Sequence, residues 1–108
     1  MDVQFKNSKM KKVFENHKLL TREYGAQQSE EIIQRLNEFT AAENLFDISR
    51  IPQARLHSLT GNLQDKWGVD IKYPYRVLIE LLNGDPADLK TVTSIRIVDV
   101  KNYHRGHS

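Results

Sequence analysis

Cysteine is absent from the chain, which removes disulfides, thiolate catalysis and cysteine-based zinc sites from consideration. Long apolar runs are missing too. The best of them, VLIELL at residues 77–82, is interrupted by Glu80 and falls far short of the ~20 residues that span a bilayer. The opening MDVQFKNSKMKK carries charge but no apolar stretch, so no secretory leader is expected. These absences together predict a soluble, cytoplasmic protein without membrane contact. Proline occurs only three times, so Pro52, Pro74 and Pro86 each read as a single break rather than as part of a linker. No repeat or low-complexity tract interrupts the chain, and one domain over residues 1–108 is expected.

What is present is enough apolar material for one core, 39% of residues, with a modest net charge of +2. The distribution of charge says more than its sum. Lys6, Lys9, Lys11 and Lys12 cluster without an intervening acid, and Lys101, His104, Arg105 and His107 follow Asp99 with none after it. Such clusters can contact phosphates, but on charge alone a solvated helix face and a frayed basic tail are the favoured readings.

Periodicity divides the chain into a helical first part and an extended second part. Residues 1–5 alternate weakly, enough for a short strand. Asn7 or Ser8 can then cap a helix whose stripe is Met10, Val13, Phe14, His17, Leu20 and Tyr24, with Gly25 as its stop. His17 within that stripe reads as a partly buried histidine. A second helix begins near Gln27 with Ile32, Ile33, Leu36 and Phe39 as its apolar stripe. Glu31 and Arg35 are spaced as an i,i+4 pair on its wet side. Beyond Asn44 the pattern changes to strands: a poor one at 55–59, a turn at Gly61-Asn62, and a clean alternation from Trp67 to Tyr73. Pro74-Tyr75 breaks that run. The next strand alternates Val77, Ile79 and Leu81 with Arg76, Leu78 and Glu80. A last strand from about Thr93 to Val100 changes apolar parity between Ile97 and Val98, which fits either a bulge or burial on both faces. The expected fold is α+β, with an N-terminal helical hairpin packed on one face of a small antiparallel sheet and the other face partly open.

The run Ala54-Arg55-Leu56-His57-Ser58-Leu59-Thr60-Gly61-Asn62 resembles a known signature of arginine, any residue, histidine, any residue, leucine, lysine, glycine. Tyr73-Pro74-Tyr75-Arg76-Val77 is similar to a Pro-Tyr-Arg strand start, and the ending from Ile95 to His104 to a last strand closing on Asp-Tyr-His. With Ile33–Glu38 and Ala41–Leu45, these motifs recur in order over nearly the whole chain. On that set the chain resembles the RelE/ParE superfamily of type II toxins, in its HigB-like branch. The resemblance implies a microbial-ribonuclease-like fold and metal-independent cleavage of messenger RNA in the ribosomal A site. It also implies a cognate antitoxin, usually a helix-turn-helix (HigA-like) protein, through which DNA is contacted only indirectly. This sequence departs from the family at Thr60, where a lysine is usual, and at Asn102, where an aspartate is usual. Both changes replace an ionisable group with a neutral one.

Cleavage without a metal has to deprotonate the ribose 2′-OH, brace the phosphate, and protonate the 5′-oxygen. Histidine suits the proton steps because its unperturbed pKa is about 6.5; arginine suits the phosphate because its planar fork stays charged. The family match makes His104 the first candidate for proton transfer and His57 the second, as acid, base or phosphate ligand. Arg76 is placed on the scissile phosphate, and Tyr103 stacks on a base or orients that phosphate. Arg55, Lys101, Asn102 and Arg105 are candidate RNA contacts. Each has a plainer reading: an end-of-chain histidine, a structural strand histidine, an ion-paired strand arginine, a sheet-edge tyrosine, ordinary surface polarity. Trp67 reads as packing. The four histidines lack metal-ligand spacing, so neither a metal nor a cofactor is expected. Two rivals share this fold: a ParE-like toxin that poisons DNA gyrase without catalysis, and a decayed toxin that only binds its antitoxin.

Overall fold

The computed structural model describes residues 1–59 and 65–102. The expectations for Thr60, the Gly61-Asn62 turn, Tyr103, His104, Arg105 and His107 lie outside that range. Strand β1 (Asp2–Phe5) leads into helices α1 (Ser8–Phe14), α2 (His17–Tyr24), α3 (Ala26–Ala41) and α4 (Leu45–Ser49). The sheet is completed by β2 (His57–Ser58), β3 (Trp67–Asp70), β4 (Tyr75–Leu81) and β5 (Ser94–Asn102), in the order β1-β5-β4-β3-β2. Short 3₁₀ turns at Pro52–Ala54 and Leu89–Thr91 join these elements.

The α+β class and the covered sheet face are as expected, while several details differ for identifiable reasons. The single first helix is two. Asn16 leaves helical geometry at φ −126°, and its side chain accepts from the Leu19 amide, so it opens α2 as Asn7 opens α1. The break turns His17 into the exposed first residue of α2 rather than a member of the buried stripe. Gly25, at φ 88°, ends α2 and opens α3. The sheet is mixed rather than antiparallel throughout, because β1 lies parallel to β5 while the other pairings are antiparallel. The strand expected at 55–59 shrinks to two residues, since Arg55 sits in the left-handed region at φ 47°. Strand β3 stops at Asp70, three residues short of Tyr73, where the chain turns through a cis Tyr73-Pro74 bond.

The parity change in the last strand is a bulge. Leu78 pairs with Asp99 but Ile79 pairs with Ile97, so Val98 is the extra residue and Ile97 and Val100 both reach the helix-covered face. That face is the core. Phe14, Leu20, Ile32, Phe39, Leu45 and Ile48 from the helices close over Val69, Val77, Ile79, Ile95 and Ile97. Each such burial contributes roughly 1.5–3 kcal/mol. Trp67 packs half-buried against this cluster.

Arg35 overturns the reading of α3 as having a wet arginine. Only 4% exposed, it donates through Nε to the Asp70 carbonyl at 2.8 Å and through Nη1 to Glu38 at 2.6 Å, with Glu31 at 4.0 Å. The helical repeat places Arg35 between Ile32 and Phe39 on the sheet side. There the end of β3 offers a carbonyl, and the neighbouring acids offset the cost of burying charge.

Candidate active site

The sheet face away from the helices is where the polar candidates collect. Alternation along the strands and the cross-strand register put Gly68, Asp70, Arg76, Leu78, Glu80, Arg96 and Lys101 on one side. His57 pairs with Gly68 and joins them from the sheet edge.

Gly68 brings His57 and Arg76 together. A β-carbon at this position would lie 3.7 Å from Arg76 Cδ, 3.8 Å from His57 Cε1 and 3.6 Å from Leu59 Cδ2. The absence of a side chain leaves a small recess with an imidazole on one wall and an arginine on the other. His57 Nδ1 lies 2.6 Å from the Arg55 carbonyl oxygen. A carbonyl only accepts, so Nδ1 carries a proton, and in the neutral ring Nε2 holds the lone pair. The left-handed conformation of Arg55 sets the carbonyl in this position two residues before the ring.

Asp70 organises the cations. Its Oδ1 accepts from Arg76 Nε at 3.0 Å and its Oδ2 from Arg55 Nε at 2.9 Å. The aspartate is in turn anchored from behind, where Arg35 holds its backbone carbonyl through the sheet. One residue thus links the core-facing arginine to the two arginines on the open face. Sequence reasoning did not select Asp70. Its signal was available in principle: Asp70 and Arg76 flank a turn at equal distance and become directly paired neighbours once β3 and β4 form a hairpin.

Lys101 pairs with Arg76 in the register and is exposed on the same side. Asn102 pairs with Tyr75, which faces the core, so the structure puts Asn102 on the opposite side of the sheet from Arg76. The structure therefore brings together Arg55, His57, Arg76 and Lys101, and leaves Asn102 apart. Beyond them the open face continues as a cleft of about 550 Å³ floored by Leu78 and Val98 and rimmed by Lys6, Lys66, Glu80 and Arg96. Glu80 is held below its ordinary carboxylate value, first by its hydrogen bond with Lys66, against a smaller opposing effect of burial, and then by Arg96. Lys66 is correspondingly pushed up by hydrogen bonds to Glu80 and then Asp65. Among the described residues, no group of three or more histidines or carboxylates is placed to hold a metal ion, and no helix is long and apolar enough to cross a membrane.

An imidazole with a defined tautomer, two arginines braced by one carboxylate, and a further lysine are groups whose chemistry suits a phosphodiester. Comparisons with known proteins bear on the family and the fold. The YoeB/ParE toxin from Agrobacterium tumefaciens superposes with a TM-score of 0.53 at 12% identity, over 96% of this chain and 100% of that one. The YoeB-YefM complex from Staphylococcus aureus gives a TM-score of 0.50 at 16% identity, over 97% of this chain and 98% of that one. At such identities the likeness is one of fold. No curated protein matches the sequence. Residues 3–94 match the family model described as the RelE-like toxin of type II toxin-antitoxin system HigB. The chain belongs to the HigB-like family of RelE-like toxins of type II toxin-antitoxin systems.

Proposed function

We propose that this toxin is a ribosome-dependent endoribonuclease that cleaves messenger RNA without a metal, acting in the cytoplasm as one domain. The observation that carries the proposal is the convergence of His57 and Arg76 over the side-chain-free position at Gly68. His57 Nε2 takes the proton of the ribose 2′-OH as the oxygen attacks the adjacent phosphorus. Arg76 and Arg55 stabilise the charge that builds on the phosphate oxygens. His104 returns a proton to the departing 5′-oxygen, and Tyr103 orients the phosphate or stacks on a base. The products are a 2′,3′-cyclic phosphate and a free 5′-hydroxyl. Lys101 and Arg105 contact the flanking backbone. With Thr60 and Asn102 neutral, the positive charge for the transition state falls to the arginines.

The solved YoeB-YefM complex pairs a protein of this fold with its partner, and a cognate helix-turn-helix antitoxin is the corresponding partner for this chain. Inducing the protein in a bacterium and mapping transcript 5′ ends, with and without that antitoxin, tests the proposal. Cut transcripts and growth arrest are expected, both relieved by antitoxin and by His104→Ala in a folded variant. DNA breaks with an SOS response and intact transcripts would mark a gyrase poison instead. Antitoxin binding without growth arrest would mark a decayed toxin.

A further inference from the structure

The open sheet face carries a second cation cluster built like the first. At the recess, the two oxygens of Asp70 each hold a different arginine, Arg76 at 3.0 Å and Arg55 at 2.9 Å. In the cleft, the two oxygens of Glu80 each hold a different cation, Lys66 at 2.8 Å and Arg96 at 3.1 Å. Asp65 also holds Lys66, at 3.2 Å, so this second cluster sets two acids against its two cations, and Lys6 and Lys101 add positive charge at the cleft against Asp99. Arg76 and Glu80 lie on the same face of β4, four residues and so about 13 Å apart. Between them Leu78 is buried beneath the cleft, the half-buried Val98 gives it an apolar floor, and Lys101 stands at the same cleft. This spacing exceeds that of adjacent phosphates in one strand, so a strand that touches both clusters places at least one nucleotide over the apolar floor.

We propose that Lys66 and Arg96 form a second phosphate subsite, so that the open face takes a single-stranded RNA segment with one phosphate at Arg55–Arg76 and a later one at Lys66–Arg96. The inference rests on the nuclease reading for the identity of its ligand, and not for its geometry. Glu80 holds the two cations side by side and limits their net charge, which favours a polymer able to reach both clusters over a lone anion. The base between the two phosphates rests on the half-buried Val98, an apolar contact that accepts any base and so adds affinity without strict sequence choice.

The test uses fluorescently labelled 2′-O-methyl oligoribonucleotides of two, four and six nucleotides, which cannot be cleaved because the attacking hydroxyl is blocked. Affinity is measured by anisotropy over a range of salt. The wild-type protein should gain affinity between two and six nucleotides. Lys66→Ala combined with Arg96→Ala should abolish that gain and lower the slope of log affinity against log salt by about 0.7, the share of one single-strand phosphate contact. Glu80→Gln keeps both cations and removes one counter-charge, so it should bind the six-nucleotide RNA more tightly than wild type. These opposite signs guard against a result caused by misfolding. A length dependence and salt slope unchanged in both variants would overturn the subsite, as would wild-type protein that binds none of the oligonucleotides. Cleavage is scored separately with 2′-OH RNA on ribosomes. Length-dependent binding without cleavage keeps the subsite and removes the nuclease; cleavage with variant-independent binding does the reverse.

Discussion

Gly68→Ala separates the site from the fold. Gly68 lies inside β3 between His57 and Leu78 in the register, and its backbone is outside the left-handed region that only glycine tolerates. The added methyl meets Leu59, Arg76 and His57 carbons at 3.6, 3.7 and 3.8 Å, which is ordinary contact. Stability should therefore hold or rise by roughly 0.5–1 kcal/mol, because alanine loses less backbone freedom on folding than glycine. The same methyl fills the recess between the imidazole and the guanidinium. A phosphate pushed outward by about 1 Å costs on the order of 10²-fold in rate, or about 2.7 kcal/mol of barrier. Urea unfolding and a ribosome cleavage assay on the same preparation read the two effects independently. A variant that is stable, and as active as wild type, would refute the placement of the reacting phosphate over Gly68.

Other substitutions probe the supports of the site. Arg35→Met leaves Glu38 without its 2.6 Å partner and the Asp70 carbonyl without its donor, so chemical denaturation should show a loss of about 3–5 kcal/mol, as for other broken buried pairs. Adding Glu38→Gln should recover part of it, and a loss under about 1 kcal/mol would contradict the burial of that charge. Asp70→Asn turns one of two acceptor oxygens into a donor, so either Arg55 or Arg76 loses its brace. Cleavage should fall roughly tenfold with a melting temperature near that of wild type, and undiminished cleavage would exclude an orienting role for the carboxylate. Glu80, depressed in the folded chain, contributes stability that is full above its unfolded pKa of about 4.5 and is lost as pH falls through the lower folded value. Acid titration of stability should thus be steeper for wild type than for Glu80→Gln, and parallel curves would count against the Lys66–Glu80–Arg96 cluster. Lys66, raised in the fold, contributes below its ordinary 10.5, and that contribution is lost only as pH rises through its higher folded value.

Local pattern carried much of the fold. The alternation from Val77 to Leu81 and the stripe Ile32, Ile33, Leu36, Phe39 each report burial directly, and the parity change near Val98 registered the bulge as one of two readings. Features that depend on a single side chain's choice of partner were less legible. Asn16 caps a new helix although the apolar stripe runs straight through it. Arg35 is buried because a carbonyl 35 residues away needs a donor, a demand no window of neighbouring residues contains. Parallel pairing of β1 beside β5 joins the two ends of the described chain, and nothing in either segment specifies direction. At the site, motif resemblance selected His57, Arg76 and Arg55, which the fold brings together. It could not select Asp70, whose part is to hold other residues. Asn102 was chosen by its place in a motif, and its pairing with Tyr75 turns it to the other face.

In the proposed function, His57 and Arg76 act on one phosphodiester of ribosome-bound messenger RNA. Single-turnover cleavage of an end-labelled message on programmed ribosomes, in excess EDTA, tests it most directly. Fragments ending in 2′,3′-cyclic phosphate and 5′-hydroxyl are expected, with His57→Ala and Arg76→Ala each slower by at least about 10²-fold. Fragments bearing 5′-phosphate, or folded variants cutting at the wild-type rate, would contradict it.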